Sequence, residues 1–167
     1  GMIAEGDYHA NAFSEGILGI SDSVGLNPGE FLFFGHDNAT IDNWTEGETD
    51  DSFTYLKRLK REWRIDETGE TGDLTISLDT SKLPALPSGY NKYVILIDED
   101  GDFSAGSSVY SLEATADPSI FSAYNLNPDH GDYLAIGIIK PTLEFETTTP
   151  AGFETDDAVV KLGLNYL

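Results

Sequence analysis

The sequence predicts an all-β fold, an antiparallel β-sandwich of jelly-roll or immunoglobulin-like type with about seven to nine strands. Short apolar or alternating segments recur at intervals of roughly ten residues, and turns rich in glycine, proline, asparagine and aspartate separate them. No segment carries the sustained apolar period of a long helix. The 167 residues are enough for one domain with a substantial core.

The candidate strands differ in how their apolar residues are arranged. Residues 30–35 form a continuous aromatic run, which predicts a strand buried on both faces. Leu74, Ile76 and Leu78 alternate with hydroxyl residues, which is typical of a strand with one buried face. In chain order, the candidate strands are residues 17–20, 30–35, 60–66, 73–79, 93–98, 108–113, 120–126 and 133–139.

The basic stretch before residue 67 supports two interpretations. Leu56, Leu59 and Trp63 would share one face of a helix. Leu59, Trp63 and Ile65 would share one face of a strand. A glycine-rich turn and a clearly alternating strand follow, and two strands around such a turn form a hairpin. We therefore predict a strand over about residues 60–66.

The charge of the chain limits its partners. The formal net charge is −21, from 30 acidic and 9 basic residues. A chain so acidic lacks the basic surface that binds phosphate backbones, so nucleic acid is not an expected partner. No apolar run approaches the roughly 18 residues of a membrane helix, so membrane insertion is not expected either. Without cysteine, the chain can form neither a disulfide nor a thiolate metal site.

Several segments carry a family resemblance. Residues 60–69 and 72–79 form a Trp-Arg strand, a glycine turn and an alternating strand, and residues 93–104 form a strand that ends in an acidic turn. Together with residues 31–37, they resemble an uncharacterised β-rich module of large bacterial surface and secreted proteins of adhesin type. The resemblance covers roughly residues 10–139. It implies an extracellular or cell-surface location and a scaffold or adhesive role, and it assigns no catalytic residues.

The C-terminal part of the chain has a different pattern. We predict a β-sandwich module over residues 1–141, followed by C-terminal strands in residues 142–167. The alternating Phe145-Glu146-Thr147-Thr148 segment and the later valine pair resemble the opening of a Calx-β-type repeat. These strands therefore either complete the sandwich or begin a truncated next domain.

The acidic turn after residues 93–97 is a candidate metal site. Asp98, Asp100 and Asp102 are two residues apart, and alternate carboxylates in a tight turn can converge on a calcium ion, which takes six to eight oxygen ligands. Gly101 permits a sharp turn. The spacing departs from an EF-hand loop, because glycine occupies the fourth position and Val109 the twelfth. The alternative is a solvated acidic turn that only ends the strand.

The loop over residues 37–54 holds candidate ligand-binding residues. Trp44 stands in polar surroundings and could stack on a sugar ring, or it could close the edge of its own domain. His36 and Asp37 could face a ligand, or they could form an Asx-type turn with a surface histidine. Arg61, on the apolar side of its predicted strand, is expected to be buried and paired with a carboxylate.

The function we expect is that of a non-catalytic, extracellular structural or adhesive module, with calcium as a structural cofactor. The alternatives are a carbohydrate-binding module and a glycoside-acting enzyme domain. The enzyme would need two carboxylates facing each other at about 5–10 Å, and the sequence assigns no catalytic residues. The expected partners are neighbouring domains of a longer chain and a glycan.

Overall fold

The computed structural model describes residues 2–4, 16–21, 26–50, 53, 55–140, 144–147 and 160–163. The described residues form two antiparallel sheets of six and four strands, and two further strands form a ribbon. One 3-10 turn, Thr80–Lys82, is the only helical element among the described residues. The predicted all-β, antiparallel fold class is confirmed.

The strands are short except for one in the larger sheet. That strand has 13 residues, and it begins four residues earlier than we predicted. In chain order, the strands are β1 (Met2–Ala4), β2 (Leu18–Ser21), β3 (Phe31–His36), β4 (Leu56–Thr68), β5 (Leu74–Asp79), β6 (Lys92–Asp98), β7 (Ser108–Ser111), β8 (Glu113–Ala114), β9 (Ile120–Leu126), β10 (Tyr133–Ile139), β11 (Glu144–Thr147) and β12 (Val160–Gly163).

The chain crosses repeatedly between the two sheets. The six-stranded sheet has the order β1-β3-β4-β10-β6-β7, and the four-stranded sheet has the order β2-β5-β9-β8. One crossing occurs at Leu112, which is buried and whose N–H donates to the carbonyl of Tyr93 at 3.0 Å. This crossing divides the segment over residues 108–113, which we predicted as one strand, into β7 and β8.

The main core lies between the inner faces of the two sheets. Strand β4 contributes alternate residues Leu59, Trp63 and Ile65 to it, so the strand interpretation of this stretch is correct. Strand β5 contributes Leu74, Ile76 and Leu78 from the opposite sheet. A single cluster of buried side chains from both sheets is the packing of a β-sandwich.

A second apolar cluster covers part of the outer face of the six-stranded sheet. Leu56 of β4, Val94 and Leu96 of β6 and Ala135 of β10 pack there around Phe103, which is fully buried. Phe103 belongs to the loop that follows β6. The central strands are therefore buried on both faces, which explains the continuous apolar run at residues 93–97.

The second cluster does not bury the outer face of strand β3. Leu32 and Phe34 are buried in the main core, whereas Phe33 between them is 44% exposed. The prediction that residues 30–35 are buried on both faces is therefore wrong. Strand β3 is paired on one side with β4 and on the other only with the three-residue β1, and the Phe103 cluster does not extend to it.

Strands β11 and β12 pair with each other, in a separate two-stranded sheet. Within the described ranges, neither of them joins the six-stranded or the four-stranded sheet. Both alternatives for residues 142–167, that they complete the sandwich or that they begin a next domain, stay predictions. The other residues that we quoted from this tail lie outside the described residues.

Candidate functional site

The acidic turn after β6 is held by its own carboxylates. The side chain of Asp98 accepts the N–H groups of Asp100 at 3.0 Å and Gly101 at 2.8 Å. Asp100 accepts the N–H of Asp102 at 2.9 Å. Asp102 accepts the N–H of Ser104 at 3.1 Å and its hydroxyl at 2.6 Å, and these bonds lower the pKa of Asp102. The two-residue spacing of the acids thus produces consecutive Asx turns.

This arrangement gives no support to a calcium site. Among the described residues, no three histidine, aspartate or glutamate side chains are grouped so that they could hold a metal ion. Calcium needs six to eight converging oxygens, whereas Asp98, Asp100 and Asp102 each direct an oxygen to the local backbone. Calcium binding by these three residues stays a prediction from the sequence.

The acidic turn lies close to another buried acid. Asp132, just before β10, is 8% exposed. Burial raises the pKa of Asp132, and the negative charges of Asp129, Glu99 and Asp98 raise it further, while a hydrogen bond from the N–H of Asp129 opposes them. The sequence alone does not show that these acids are close, because more than 30 residues separate Asp98 from Asp132.

The acidic turn also closes the second apolar cluster. Gly101 has φ +84°, and a Cβ there would lie 3.2 Å from the ring of Tyr133 on β10. Phe103 follows two residues later and fills the centre of the cluster. The turn that carries the candidate metal-binding residues therefore also covers part of the outer face, and its close approach to β10 requires glycine.

The buried and paired arginine is Arg58, not Arg61. Arg58 is 2% exposed, and its guanidinium lies 4.9 Å from the ring centre of Phe103. It forms ion pairs with Glu48 and with Glu62, the latter at 3.0 Å. Its Nε donates to the carbonyl of Glu48 at 3.1 Å and its Nη1 to that of Leu59 at 3.2 Å.

Arg61 lies on the opposite face of β4 and is only half-buried. Its Nε donates to the carbonyl of Ala39 at 2.8 Å. It forms no ion pair within the described part of the chain. The prediction that Arg61 is buried and paired is therefore wrong, because the second cluster buries the outer face of β4 at Arg58.

Trp44 closes one edge of the sandwich. It is half-buried, packs against the main core, and donates from Nε1 to the carbonyl of Pro84 at 3.3 Å. Its ring lies 6.4 Å from that of Tyr93. This geometry fits the alternative in which a loop tryptophan covers its own domain, and it gives little support to stacking on a sugar.

His36 and Asp37 end strand β3 in a tight turn. Asp37 accepts the N–H of Ala39 at 3.0 Å, and Nδ1 of His36 accepts the N–H of Asn38 at 3.0 Å. The hydrogen of a neutral His36 ring is therefore on Nε2. Burial, followed by the positive charge of Arg61, lowers the pKa of His36. The carboxylate of Asp37 thus stabilises the turn, whereas the ring of His36 lines a cleft between the sheets.

An exposed aromatic surface lies on the outer face of the larger sheet, beside the acidic turn. Phe33 of β3 is 44% exposed, and the guanidinium of Arg64 on β4 lies 5.8 Å from the ring centre of Tyr133 on β10. Gly35 pairs with Arg64, and Arg64 pairs with Tyr133, so these positions share one face. We call Phe33, Gly35, Arg64 and Tyr133 the outer platform.

The outer platform contains a shallow depression of about 430 Å³, lined by Phe33, Phe34, Gly35, Arg64 and Asp66. A Cβ added at Gly35 would have nothing within 4 Å, so this position is open. The outer platform was not among the sites predicted from the sequence. The signal was present in residues 31–34, where Phe33 lies between two core residues and must face away from them.

The fold and the platform define the chain as an antiparallel β-sandwich module with an exposed aromatic surface. Residues 13–131 match a family model described as a domain of unknown function, DUF8202. The match covers more than half of the chain, which belongs to this family. No curated protein and no solved structure gave a significant match. In the described residues, no helix has the length and apolar character needed to cross a membrane.

Proposed function

We propose that this chain is a non-catalytic adhesive module of an extracellular or cell-surface protein, and that it binds carbohydrate through the outer platform. The observation that carries the proposal is the exposed ring of Phe33 beside the open position of Gly35 and the guanidinium of Arg64. An exposed aromatic ring next to an open position and charged groups is a surface on which a sugar ring can lie.

The chemistry of the platform suits a sugar. The apolar C–H face of a pyranose can stack on the Phe33 ring, as apolar groups do on aromatic side chains. The guanidinium of Arg64 offers several N–H donors, and the carboxylate of Asp66 offers acceptors. A sugar hydroxyl could therefore accept a hydrogen bond from Arg64 or donate one to Asp66. Gly35 leaves room for the ring between them.

The platform is built on rigid elements. Phe33 stands on a strand, and the ring of Phe31 contacts it edge-on with 5.1 Å between the ring centres. Arg64 is held over Tyr133, whose ring is in turn backed by the acidic turn at Gly101. A site on a sheet loses little conformational entropy on binding, which favours affinity.

The resemblance in the sequence supports the proposed location and partners, and the charge is compatible with them. A net charge of −21 suits surroundings rich in cations, which screen the repulsion between the acidic groups. An adhesive module would contact neighbouring domains of a longer chain and a glycan. Nucleic acid and membrane insertion are not part of the proposal.

A glycan array tests the proposal. The wild-type chain is expected to bind a restricted set of glycans, and Phe33→Ala is expected to lose the signal. Tyr124→Ala is the matched control, because Tyr124 is a similarly exposed aromatic residue on the four-stranded sheet. An array that stays blank for the wild type, or Phe33→Ala binding like the wild type, would overturn the proposal. Bound glycans are expected to be recovered intact, as a non-catalytic module requires.

The predicted calcium site needs its own test. A cation that binds only the folded state raises the melting temperature. Melting curves in calcium and in EDTA, at equal ionic strength, are compared for the wild type and for Asp98/Asp100/Asp102→Asn. A rise that the triple variant loses would establish the site. Identical curves for the wild type would show that the turn needs no calcium.

A further inference from the structure

We propose that the cleft between the two sheets is a second binding site, specific for a small organic carboxylate. The cleft has a volume of about 540 Å³, within the range of small-molecule sites. It lies where β3 and β4 face the start of β2. Its basic lining residues are His36, Arg61 and Lys82, and its apolar ones include Phe34, Ile41 and Trp63. We call it the Arg61 cleft.

The charge of the Arg61 cleft is opposite to that of the chain. The sequence has 30 acidic residues and only 9 basic ones. Yet none of the described residues that line the cleft is acidic, whereas two of them, Arg61 and Lys82, are permanently charged cations. Such a concentration of positive charge in a concave, partly apolar site attracts an anion and strengthens its binding.

Arg61 is held in an orientation that can bind an anion. Its Nε is fixed by the carbonyl of Ala39 at 2.8 Å, which orients the guanidinium. The described residues supply no carboxylate partner for it, so both Nη groups retain donors for a ligand. A planar fork held in this way suits the two oxygens of a carboxylate.

The other polar groups indicate a single negative charge on the ligand. Lys82 donates to the carbonyl of Gly16 at 2.9 Å and lies 3.5 Å from a carboxylate oxygen of Asp79, so its charge is partly compensated. His36 is oriented by the N–H of Asn38 and offers a hydrogen on Nε2 when it is neutral. One uncompensated guanidinium and one neutral donor match a monoanion better than a dianionic phosphate.

The apolar wall indicates what the carboxylate is attached to. The buried ring of Trp63 and the half-buried Ile41 flank the polar groups. A compact ring that carries one carboxylate, either a sugar acid or an aromatic acid, would place its ring against this wall and its carboxylate on Arg61. Both sources share the chemistry that the site recognises.

Calorimetric titration of the full chain tests the inference with four probes: glucuronate, benzoate, glucose and inorganic phosphate. We expect glucuronate or benzoate to bind, glucose not to bind, and phosphate to bind more weakly than the best carboxylate. Arg61→Gln should weaken carboxylate binding about 10- to 100-fold, because it removes a charge-assisted hydrogen-bond pair. Lys60→Gln is the matched control, since it removes one positive charge from an exposed position of the same strand.

Arg61→Lys keeps the charge without the planar fork and should weaken binding by an intermediate factor. It also replaces Arg61→Gln if that variant melts below the assay temperature. The inference is overturned if no carboxylate binds the wild type, if phosphate binds best, or if Lys60→Gln weakens binding as much as the Arg61 variants. Phe33→Ala should leave carboxylate binding unchanged, so this site and the outer platform can fail independently.

Discussion

Arg58 joins three segments of the chain through one buried side chain. Its guanidinium contacts the ring of Phe103 in the loop after β6, the backbone of Glu48 in the loop before β4, and the carboxylate of Glu62 on its own strand. A buried charge is tolerated only when its donors are satisfied, and these contacts satisfy them. The second apolar cluster therefore depends on a polar network.

We expect Arg58→Ala to destabilise the chain by about 3 kcal/mol, toward the lower end for a broken buried ion pair, because Glu48 can turn to solvent. Lys57→Ala is the control, because Lys57 pairs with the exposed Glu46 and should contribute less than about 1 kcal/mol. Urea unfolding measures both. Equal losses for the two variants would show that Arg58 does not hold the second cluster.

The ionisation of Asp132 lowers the stability of the folded chain. Because the folded-state pKa of Asp132 is raised by burial and neighbouring acids, its contribution to stability is full at low pH and is lost as pH rises through that pKa. Asp132→Asn should therefore raise the melting temperature at pH 7, and the gain should disappear as the pH is lowered toward the carboxyl range.

Asp117→Asn is the contrasting variant. Hydrogen bonds from Ser119 lower the pKa of Asp117, so its contribution to stability is present above the unfolded-state pKa and is lost on acidification. At pH 7 this variant should melt lower than the wild type. Melting temperatures measured from pH 3 to pH 7 check the expected increase for Asp132→Asn and the expected decrease for Asp117→Asn. A lower melting temperature for Asp132→Asn at pH 7 would contradict the assignment.

At the scale of single elements, the acidic turn after β6 combines three roles in a few residues. Its aspartates cap the backbone in consecutive Asx turns, and its glycine allows the turn to approach β10. Its phenylalanine then fills the second cluster. The turn is thus part of the core rather than a loop that ends a strand.

Gly101→Ala should destabilise the chain by more than Gly106→Ala. Both glycines have positive φ, +84° and +86°, so both substitutions carry the backbone cost of about 1 kcal/mol. Only at Gly101 would the new Cβ also press on a ring, that of Tyr133 at 3.2 Å, whereas Gly106 has nothing within 4 Å. Thermal unfolding of both variants measures the difference. Equal losses would contradict the contact with β10.

Strands β4 and β5 could be predicted from the sequence because their alternating residues face a single core. The burial of part of the outer face could not be predicted, because it depends on Phe103, the one large apolar residue in a loop of small and polar residues. For the same reason the sequence pointed to Arg61 rather than Arg58 as the buried arginine. Arg61 alternates with Leu59 and Trp63, whose face of β4 is predicted to be buried, whereas the burial of Arg58 depends on Phe103.

At the scale of the whole molecule, the order of the strands creates the outer platform. Phe33, Arg64 and Tyr133 are 31 or more positions apart in the sequence, and the neighbouring positions of β3, β4 and β10 bring them to one face. Local pattern predicts that strands exist and which residues face inward. It does not predict which strands become neighbours, so the sequence could indicate that Phe33 faces outward but not that Arg64 and Tyr133 lie beside it.

The two proposed sites lie on opposite faces of the same strands. The outer platform uses Gly35 and Arg64, and the Arg61 cleft uses His36 and Arg61 from the inner side of β3 and β4. One pair of strands would thus present a sugar-binding surface outward and an anion-binding cleft inward.

The affinity of Phe33→Ala for a glycan selected on the array tests the central proposal most directly. We expect a loss of about tenfold or more, because stacking on an exposed aromatic ring contributes on the order of 1.5 kcal/mol. Tyr124→Ala should bind like the wild type, and both variants should melt within a few degrees of it, since both rings are exposed. Equal affinities for Phe33→Ala and the wild type would contradict the proposal.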